Sequence, residues 1–346
     1  MKRLRLSRTL PAILAGVAAV ALAGCGEIKN RLQPAPGTAD RVTVVLAGPP
    51  NAFYVGIYEA QALGYFAQTD MHVRLITPSS TQDPLTMVHD GQALIGISSE
   101  PSVLLHRNEN QPVVSVAALV QSPLPAITIP VAPGGPSGGS GLASNTTRTT
   151  RTGRPITRTT TTAATTTAAT TTAATTTAAT ATTTTTKPGQ TTTGPSTTPT
   201  TTTPAQPDAT FWPGSLQQLL ARPGSPTYDG LVVVVRKGTI VYNAPLIRRF
   251  VQAVARGYRA ARANPPAAID NLIKAVPALA SSRGQQLVTL RTALPYLFPS
   301  GGKVWGWQQA DQWNAFGTWM SNNHLLNNPN AEVDPSTNEL LQGQGI

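Results

Sequence analysis

One cysteine, Cys25, stands among the 346 residues. A lone cysteine excludes a disulfide framework and a cysteine-built metal cage. Histidine is nearly as scarce, and His72, His89, His106 and His324 show no metal-ligand spacing. No Ser/His/Asp arrangement, glycine-rich phosphate loop or paired carboxylates stand at a telling spacing. These absences argue against an enzyme, and no metal or cofactor is expected. Acidic residues are few, and the formal net charge is +11. That charge is concentrated away from the folded part. Lys2, Arg3, Arg5 and Arg8 open the chain, and Arg148, Arg151, Arg154, Arg158, Lys187 and Arg222 face only Asp208 between 129 and 227. What remains is near neutral, with no basic, aromatic-interleaved face for nucleic acid. The longest early apolar run, Leu10 to Leu22, is shorter than the roughly 20 residues that span a bilayer.

That run is present for another purpose. A charged start, a short apolar stretch and small residues before a cysteine make an export signal. Leu22-Ala23-Gly24-Cys25 looks like a bacterial lipobox. The expectation is a signal peptide over 1–24 and a lipidated Cys25, which anchors the protein on the extracytoplasmic face of the cell membrane. Residues 25–40, polar and with two prolines, form a tether.

The stretch from Asp83 to Leu124 organises the folded part of the chain. Asp83 is a good N-cap, and Pro84 suits the first helical position. The short helix ends at Gly91. Ala93 to Ile97 is an apolar run of buried-strand length, followed by a polar turn, Ser98-Ser99-Glu100. Pro101 opens a second helix, and Val113 to Val120 is the next strand. This β–α–β unit implies a parallel sheet. Its turn lies where open α/β sheets bind ligands. Upstream, Arg41 to Leu46 is a β-branched strand. Asn51 to Gly64 is a helix with Asn51 as N-cap and Gly64 as its C-terminal glycine. His72 to Ile76 is another strand. Strand and helix alternate as in a doubly wound domain.

The chain then changes character. Pro130 to Gly141 is a Gly/Pro/Ser linker, and Thr and Ala dominate from Thr146 to Thr203, with a five-residue TTTAA repeat. The tract has no aromatic, and its repeat has no large apolar residue with which to offset ordering entropy, so 129–227 is expected to be disordered. Such Thr-rich stalks can carry O-linked sugars. Within it, FWPGSLQQLL (211–220) is a small amphipathic remnant. Beyond it, Leu231 to Val235 is a strongly apolar strand. Asn243 is expected to cap a long helix with Pro245 in its first turn. Ile247, Phe250, Val251, Val254 and Tyr258 recur at helical spacing. Further helices are expected over 267–275, 285–294 and 308–322, the last with Trp313, Phe316 and Met320 on one stripe.

These residues resemble a known family: the solute-binding proteins of ABC importers for alkanesulfonate, nitrate and thiamine-pyrimidine precursors, and most of all the pyrimidine-precursor binders. Pro50-Asn51 with Gly56-Ile57-Tyr58 and Gly64-Tyr65-Phe66 is similar to the family's opening helix. Ile97-Ser98-Ser99-Glu100-Pro101 resembles its next turn, and Val113 to Pro123 the strand after it. Leu246 to Phe250 with Ala255-Arg256-Gly257 resembles the returning helix. Phe298-Pro299, Gly306-Trp307-Gln308 and Thr337-Asn338 are similar to its carboxyl end. The resemblance covers about 41–128 and 228–343.

It implies an α/β, type II periplasmic-binding-protein-like fold, in which two lobes close on a small-molecule ligand and present it to an ABC permease. Residues 41–128 and 228–343 would make one doubly wound lobe. Ile127 to Ile129 would be the outgoing hinge strand and Leu231 to Val235 the returning one. The Thr-rich tract stands where the second lobe belongs. The implied ligand residues are Asn51, Tyr54, Ser98, Ser99 and Glu100. Ala47 and Gly48 replace an Asp and an aromatic of the pyrimidine binders, Tyr54 replaces a His, and Ser99 replaces an aromatic. Glu100 reads equally as a helix cap and as an acceptor for a ligand amine. Asn51 reads first as a cap, and Tyr54 as a surface or cleft-lining aromatic. Fungal relatives of this fold make the thiamine pyrimidine with a consumed His and iron, and Tyr54 stands in place of that His. The expected role is therefore lipid-anchored binding of a small heterocyclic or nitrogenous nutrient for an importer. The alternative is an envelope interaction lipoprotein that presents the Thr-rich stalk without transport.

Overall fold

The computed structural model describes residues 39–131, 201–299 and 301–344. The signal, Cys25, most of the tether and the Thr-rich residues 132–200 lie outside them. Strand β1 (Asp40–Val45) leads through a turn at Ala52–Tyr54 into helix α1 (Val55–Ala62). Gly64 follows with φ 70°, the left-handed conformation that ends helices. Strand β2 (Met71–Ile76), helix α2 (Pro84–His89), strand β3 (Ile95–Ser98), helix α3 (Glu100–Asn108) and strand β4 (Val113–Val120) come next. Asp83 caps α2 through bonds from the backbone N–H of Leu85 and Thr86, at 2.7 and 3.2 Å. The chain leaves the lobe at β5 (Ile129–Pro130) and returns at β6 (Thr201–Thr202), and these two pair antiparallel. Then come helix α4 (Gly214–Leu220), strand β7 (Leu231–Arg236), and helices α5 (Lys237–Ala263), α6 (Pro265–Ala275), α7 (Arg283–Ala293) and α8 (Ala310–Asn322).

The main sheet has five strands in the order β2-β1-β3-β7-β4. β1 runs parallel to both β2 and β3, whereas β7 is antiparallel to β3 and to β4. The described residues thus build one mixed α/β sheet with helices packed on it. The wholly parallel sheet expected around β3–α3–β4 is corrected: β3 and β4 point the same way but are separated by β7. Leu231 to Val235, expected as the returning hinge strand, are fully buried inside the sheet, and a separate pair, β5–β6, joins the two sides of residues 132–200. Among the described residues, that pair is the only other sheet.

The core packs helices on both faces. α1 crosses α5 at close range through two glycines. A Cβ on Gly257 would lie 1.9 Å from the Gly56 carbonyl oxygen, and one on Gly56 would lie 2.2 Å from the Tyr258 ring. Phe66 stacks on Phe250 at 5.5 Å, and the Tyr258 hydroxyl donates to the Phe53 carbonyl at 2.6 Å. α5 is two helical runs joined at Asn243, whose φ of −127° and ψ of 18° are not helical, so the long run starts just after Asn243 with Pro245 in its first turn, as expected. Trp313, Phe316 and Met320 are buried as their spacing predicts.

The segment from Thr201 to Thr227 departs from the expected unstructured tract. It carries β6, a helical turn at Pro207–Phe211 and α4. Trp212 and Leu216 pack with Tyr228, Leu104, Phe316, Met320 and Leu326 in a separate apolar cluster. Trp212 meets Tyr228 edge to face at 6.1 Å. We call residues 204–229 the strap, because they lie across the end of the sheet at which β1 and β3 finish.

Candidate functional site

The turn after β3 sits at the start of α3, with Ser99 as the N-cap. Ser98, Ser99 and Glu100 are all buried. What buries them is the strap. Asp208 turns its carboxylate into the helix N-terminus, where oxygen Oδ2 accepts from the Ser98 hydroxyl at 2.7 Å and the Ser99 hydroxyl at 2.7 Å. The same oxygen takes the Ser99 backbone N–H at 2.9 Å and the Ser102 hydroxyl at 2.8 Å. The Ser102 oxygen in turn accepts from the Trp212 indole N–H at 2.7 Å. The Gln206 amide donates to Asp208 Oδ1 at 2.8 Å and to the Gly230 carbonyl at 2.8 Å. A negative group at a helix N-terminus, met by several hydroxyls, is favoured by both the dipole and the unpaired N–H groups there.

Glu100 faces the other end of the strap. Its backbone N–H donates to the Asp229 carbonyl at 3.0 Å, and its Oε2 accepts the Asp229 N–H at 2.8 Å. The Gln312 amide reaches Glu100 Oε2 at 3.2 Å and Asp229 Oδ1 at 3.4 Å. The Trp313 indole N–H donates to Asp229 Oδ2 at 3.0 Å. Among the described residues, Glu100 Oε1 has no partner. Burial, and then the Asp229 charge, push the Glu100 carboxyl well above the usual carboxylate range. Burial pushes Asp229 up to about 7, against the donation from Trp313 and Gln312. Two desolvated neighbouring carboxyls, with no basic side chain paired to either among the described residues, favour keeping a proton on one of them. The Glu100 carboxylate therefore binds the strap, and the residue that caps the helix is Ser99.

Tyr54 is fully buried, which corrects the expectation of a surface or cleft-lining ring. Burial first and then the Asp208 charge hold its phenol well above its ordinary range, against a backbone bond at Gly48 that lowers it. Asn51 caps the turn that follows it, accepting the Phe53 N–H at 2.9 Å. No hydrogen bond joins it to the Ser98–Glu100 turn among the described residues. Gly48 leaves room for the strap: a Cβ there would lie 2.8 Å from Pro207 Cβ. Cys25 lies outside the described residues.

Two cavities among the described residues lie away from this turn. One of about 250 Å³ opens at the opposite end of α3, lined by Arg107, Asn110, Gln111, Lys237 and Asn328. Arg107 is already engaged there by the backbone carbonyls of Ala331, Val113, Asn330 and Val333. The other, of about 70 Å³, lies beside Trp305. Among the described residues, no group of three or more His, Cys, Asp or Glu could hold a metal ion, and no helix is long and apolar enough to cross a membrane. The residues that sequence reasoning missed are Asp208, Ser102, Gln206, Trp212, Asp229, Gln312 and Trp313. One signal was available. Asp208 is the only acid between 129 and 227, and it stands just before the segment's only Phe and Trp.

Comparison with known proteins bears on the same region. Residues 51–132 and 218–268 match the family model described as NMT1/THI5 like. The formylaminopyrimidine-binding protein of Halalkalibacterium halodurans is 38% identical over 85 residues, which cover 25% of this chain and 26% of that protein. The 4-amino-5-hydroxymethyl-2-methylpyrimidine phosphate synthase THI11 of Saccharomyces cerevisiae is 24% identical over 90 residues, 26% of each chain. The match thus spans about a quarter of the length of these curated relatives. Among solved structures, the periplasmic aliphatic sulphonate binding protein SsuA of Escherichia coli aligns over 88% of this chain and 91% of its own, at 12% identity and a TM-score of 0.43.

Proposed function

We propose that this chain is the lipid-anchored, extracytoplasmic solute-binding component of an ABC importer for a small heterocyclic or nitrogenous nutrient. It binds and hands over its ligand without chemistry. The observation that carries this reading is the β3–α3 turn. At the sheet end where α/β folds take ligands, three serine hydroxyls and a backbone N–H converge on one carboxylate, and Glu100 holds an oxygen without a partner beside them. Such a turn can orient a small polar molecule through both donors and an acceptor. The match to the NMT1/THI5 like model includes this turn. The similarity to a formylaminopyrimidine-binding protein supports a pyrimidine precursor as the ligand class.

The test is thermal stabilisation of the mature chain by formylaminopyrimidine, riboflavin or an alkanesulfonate. A rise in Tm with the pyrimidine that is lost in Glu100→Gln supports the reading. No shift with any of the three overturns it. Incorporation of labelled palmitate that disappears in Cys25→Ser tests the anchor.

A second reading is an envelope interaction lipoprotein without transport, presenting the Thr-rich residues. The seated Asp208 favours it, because the strap's own carboxylate fills the turn. A lipidated protein that binds none of the three solutes supports this alternative.

A further inference from the structure

We propose that the strap is a proton-locked latch: Glu100 and Asp229 hold it across the β3–α3 turn while one of the two buried carboxyls keeps its proton, and loss of that proton to solvent loosens it. This concerns the same turn as the proposed ligand site but requires no ligand.

The geometry supplies the lock. The two residues exchange backbone bonds in both directions: the Glu100 N–H goes to the Asp229 carbonyl at 3.0 Å, and the Asp229 N–H to Glu100 Oε2 at 2.8 Å. One amide nitrogen, on Gln312, reaches both carboxyl groups, so they lie side by side. Both are nearly or fully buried. From α8 the neighbours are the neutral Gln312 and Trp313, while Asp311 is exposed. From the strap they are Asp208 and Tyr228, whose phenol is raised by burial and then by the charges of Asp208 and Glu100. Tyr54 adds a neutral phenol near Asp208. On α3 itself, His106 points to Asp83 of α2, 3.2 Å away. Among the described residues no basic side chain pairs with Glu100 or Asp229, since the three ion pairs involve Asp83, Asp40 and Asp270. A second negative charge in this position has nothing to neutralise it, so the second ionisation opposes docking of the strap.

The direction comes from linkage. Both carboxyls are raised in the folded protein, so their contribution is complete at low pH. It declines as pH rises above the ordinary Asp value of 3.8 and through the folded value of about 7 for Asp229. Within that window docking weakens by up to about tenfold per pH unit. Asp208 holds the other half of the strap through groups that do not titrate there, the serine hydroxyls and a backbone N–H. The latch therefore loosens first at its Tyr228–Asp229 end.

Hydrogen exchange of the full mature chain from pH 4.5 to 8.5 tests this, with each strap peptide normalised to β4 peptides and to α3 peptides. The expected result is that protection at 221–230 falls relative to both references as pH rises from 4.5 through 7. Asp229→Asn and Glu100→Gln each remove the fall. A wild-type ratio that does not change with pH overturns the proposal, as does a fall that persists in both amide variants. Should those variants fail to fold, Asp208→Asn decides. It leaves the Glu100–Asp229 pair intact, so the fall must persist there, and its disappearance overturns the proposal.

Discussion

The Asp208 carboxylate takes both the backbone N–H and the hydroxyl of Ser99, at 2.9 and 2.7 Å, across 109 residues of chain. Ser99 is the N-cap of α3, yet its own side chain caps nothing. The helix receives its cap from the strap. The element that would otherwise end open at the edge of the sheet is finished by a residue from beyond the Thr-rich tract.

Removing that carboxylate leaves the Ser99 N–H and three serine hydroxyls buried without their acceptor. Asp208→Ala is expected to cost about 3–5 kcal/mol, as for breaking a buried charge-assisted network. Urea denaturation measures it. The space left is the size of a small carboxylate and is lined by donors, so added formate should recover part of the loss in Asp208→Ala and none in wild type.

The strap is also held by apolar contact. Trp212 and Leu216 are 7% and 0% exposed in the cluster with Phe316 and Met320. Trp212→Ala should cost about 3–5 kcal/mol and Leu216→Ala about 2–5 kcal/mol. Limited proteolysis should then cut within 204–227 before it cuts β4. Equal resistance of the strap and β4 in Trp212→Ala would show that polar contacts alone hold it.

The α1–α5 crossing tolerates no side chain at Gly257, where a Cβ meets the Gly56 carbonyl at 1.9 Å and the Ala60 nitrogen at 2.8 Å. Both are backbone atoms and cannot swing aside. Gly257→Ala is expected to cost about 3 kcal/mol despite its better helix propensity. A neutral or stabilising result in thermal melts would place the two helices further apart.

Asp83 joins α2 to α3, capping the first and pairing with His106 of the second at 3.2 Å. Burial alone would raise the Asp83 carboxyl, but the His106 bond and charge, with the Thr86 and Leu85 N–H groups, lower it overall. Burial alone would lower His106, but Asp83 and the Ser102 carbonyl raise it overall. The Asp contribution is present above its ordinary 3.8 and is lost as pH falls through a lower folded value. The His contribution is present below 6.5 and is lost as pH rises through a higher folded value. Asn keeps the cap but not the charge. Asp83→Asn should therefore cost about 1–2 kcal/mol between pH 4 and 6.5 and little at pH 9. Melting curves at the two ends of that range measure the difference.

Much of the lobe was legible because its signals are local. The β4 run, Val113 to Val120, occupies the residues its composition predicts, and Asp83-Pro84 begins a helix as a cap and a first-turn proline should. Leu231 to Val235 read correctly as a buried strand but not as the partner of both β3 and β4. An apolar run specifies burial on both faces and leaves the choice of neighbour to topology. The Ser98–Glu100 turn could be located from its place after a strand and before a proline. What fills it could not, because hydrogen bonds between distant segments leave no periodic trace.

The order of residues alone set the strands and helices of one α/β lobe, the caps that begin its helices, and a polar turn at the end of β3. Period, propensity and capping act within a few residues, so they can be read there. The folded arrangement was needed to establish that Thr201 to Asp229 folds back as a strap, that Asp208 and Asp229 close the turn, and that Tyr54 is interior. Those outcomes depend on burial of a few apolar side chains and on one carboxylate finding an open helix end, and both are settled only when the two halves of the chain meet.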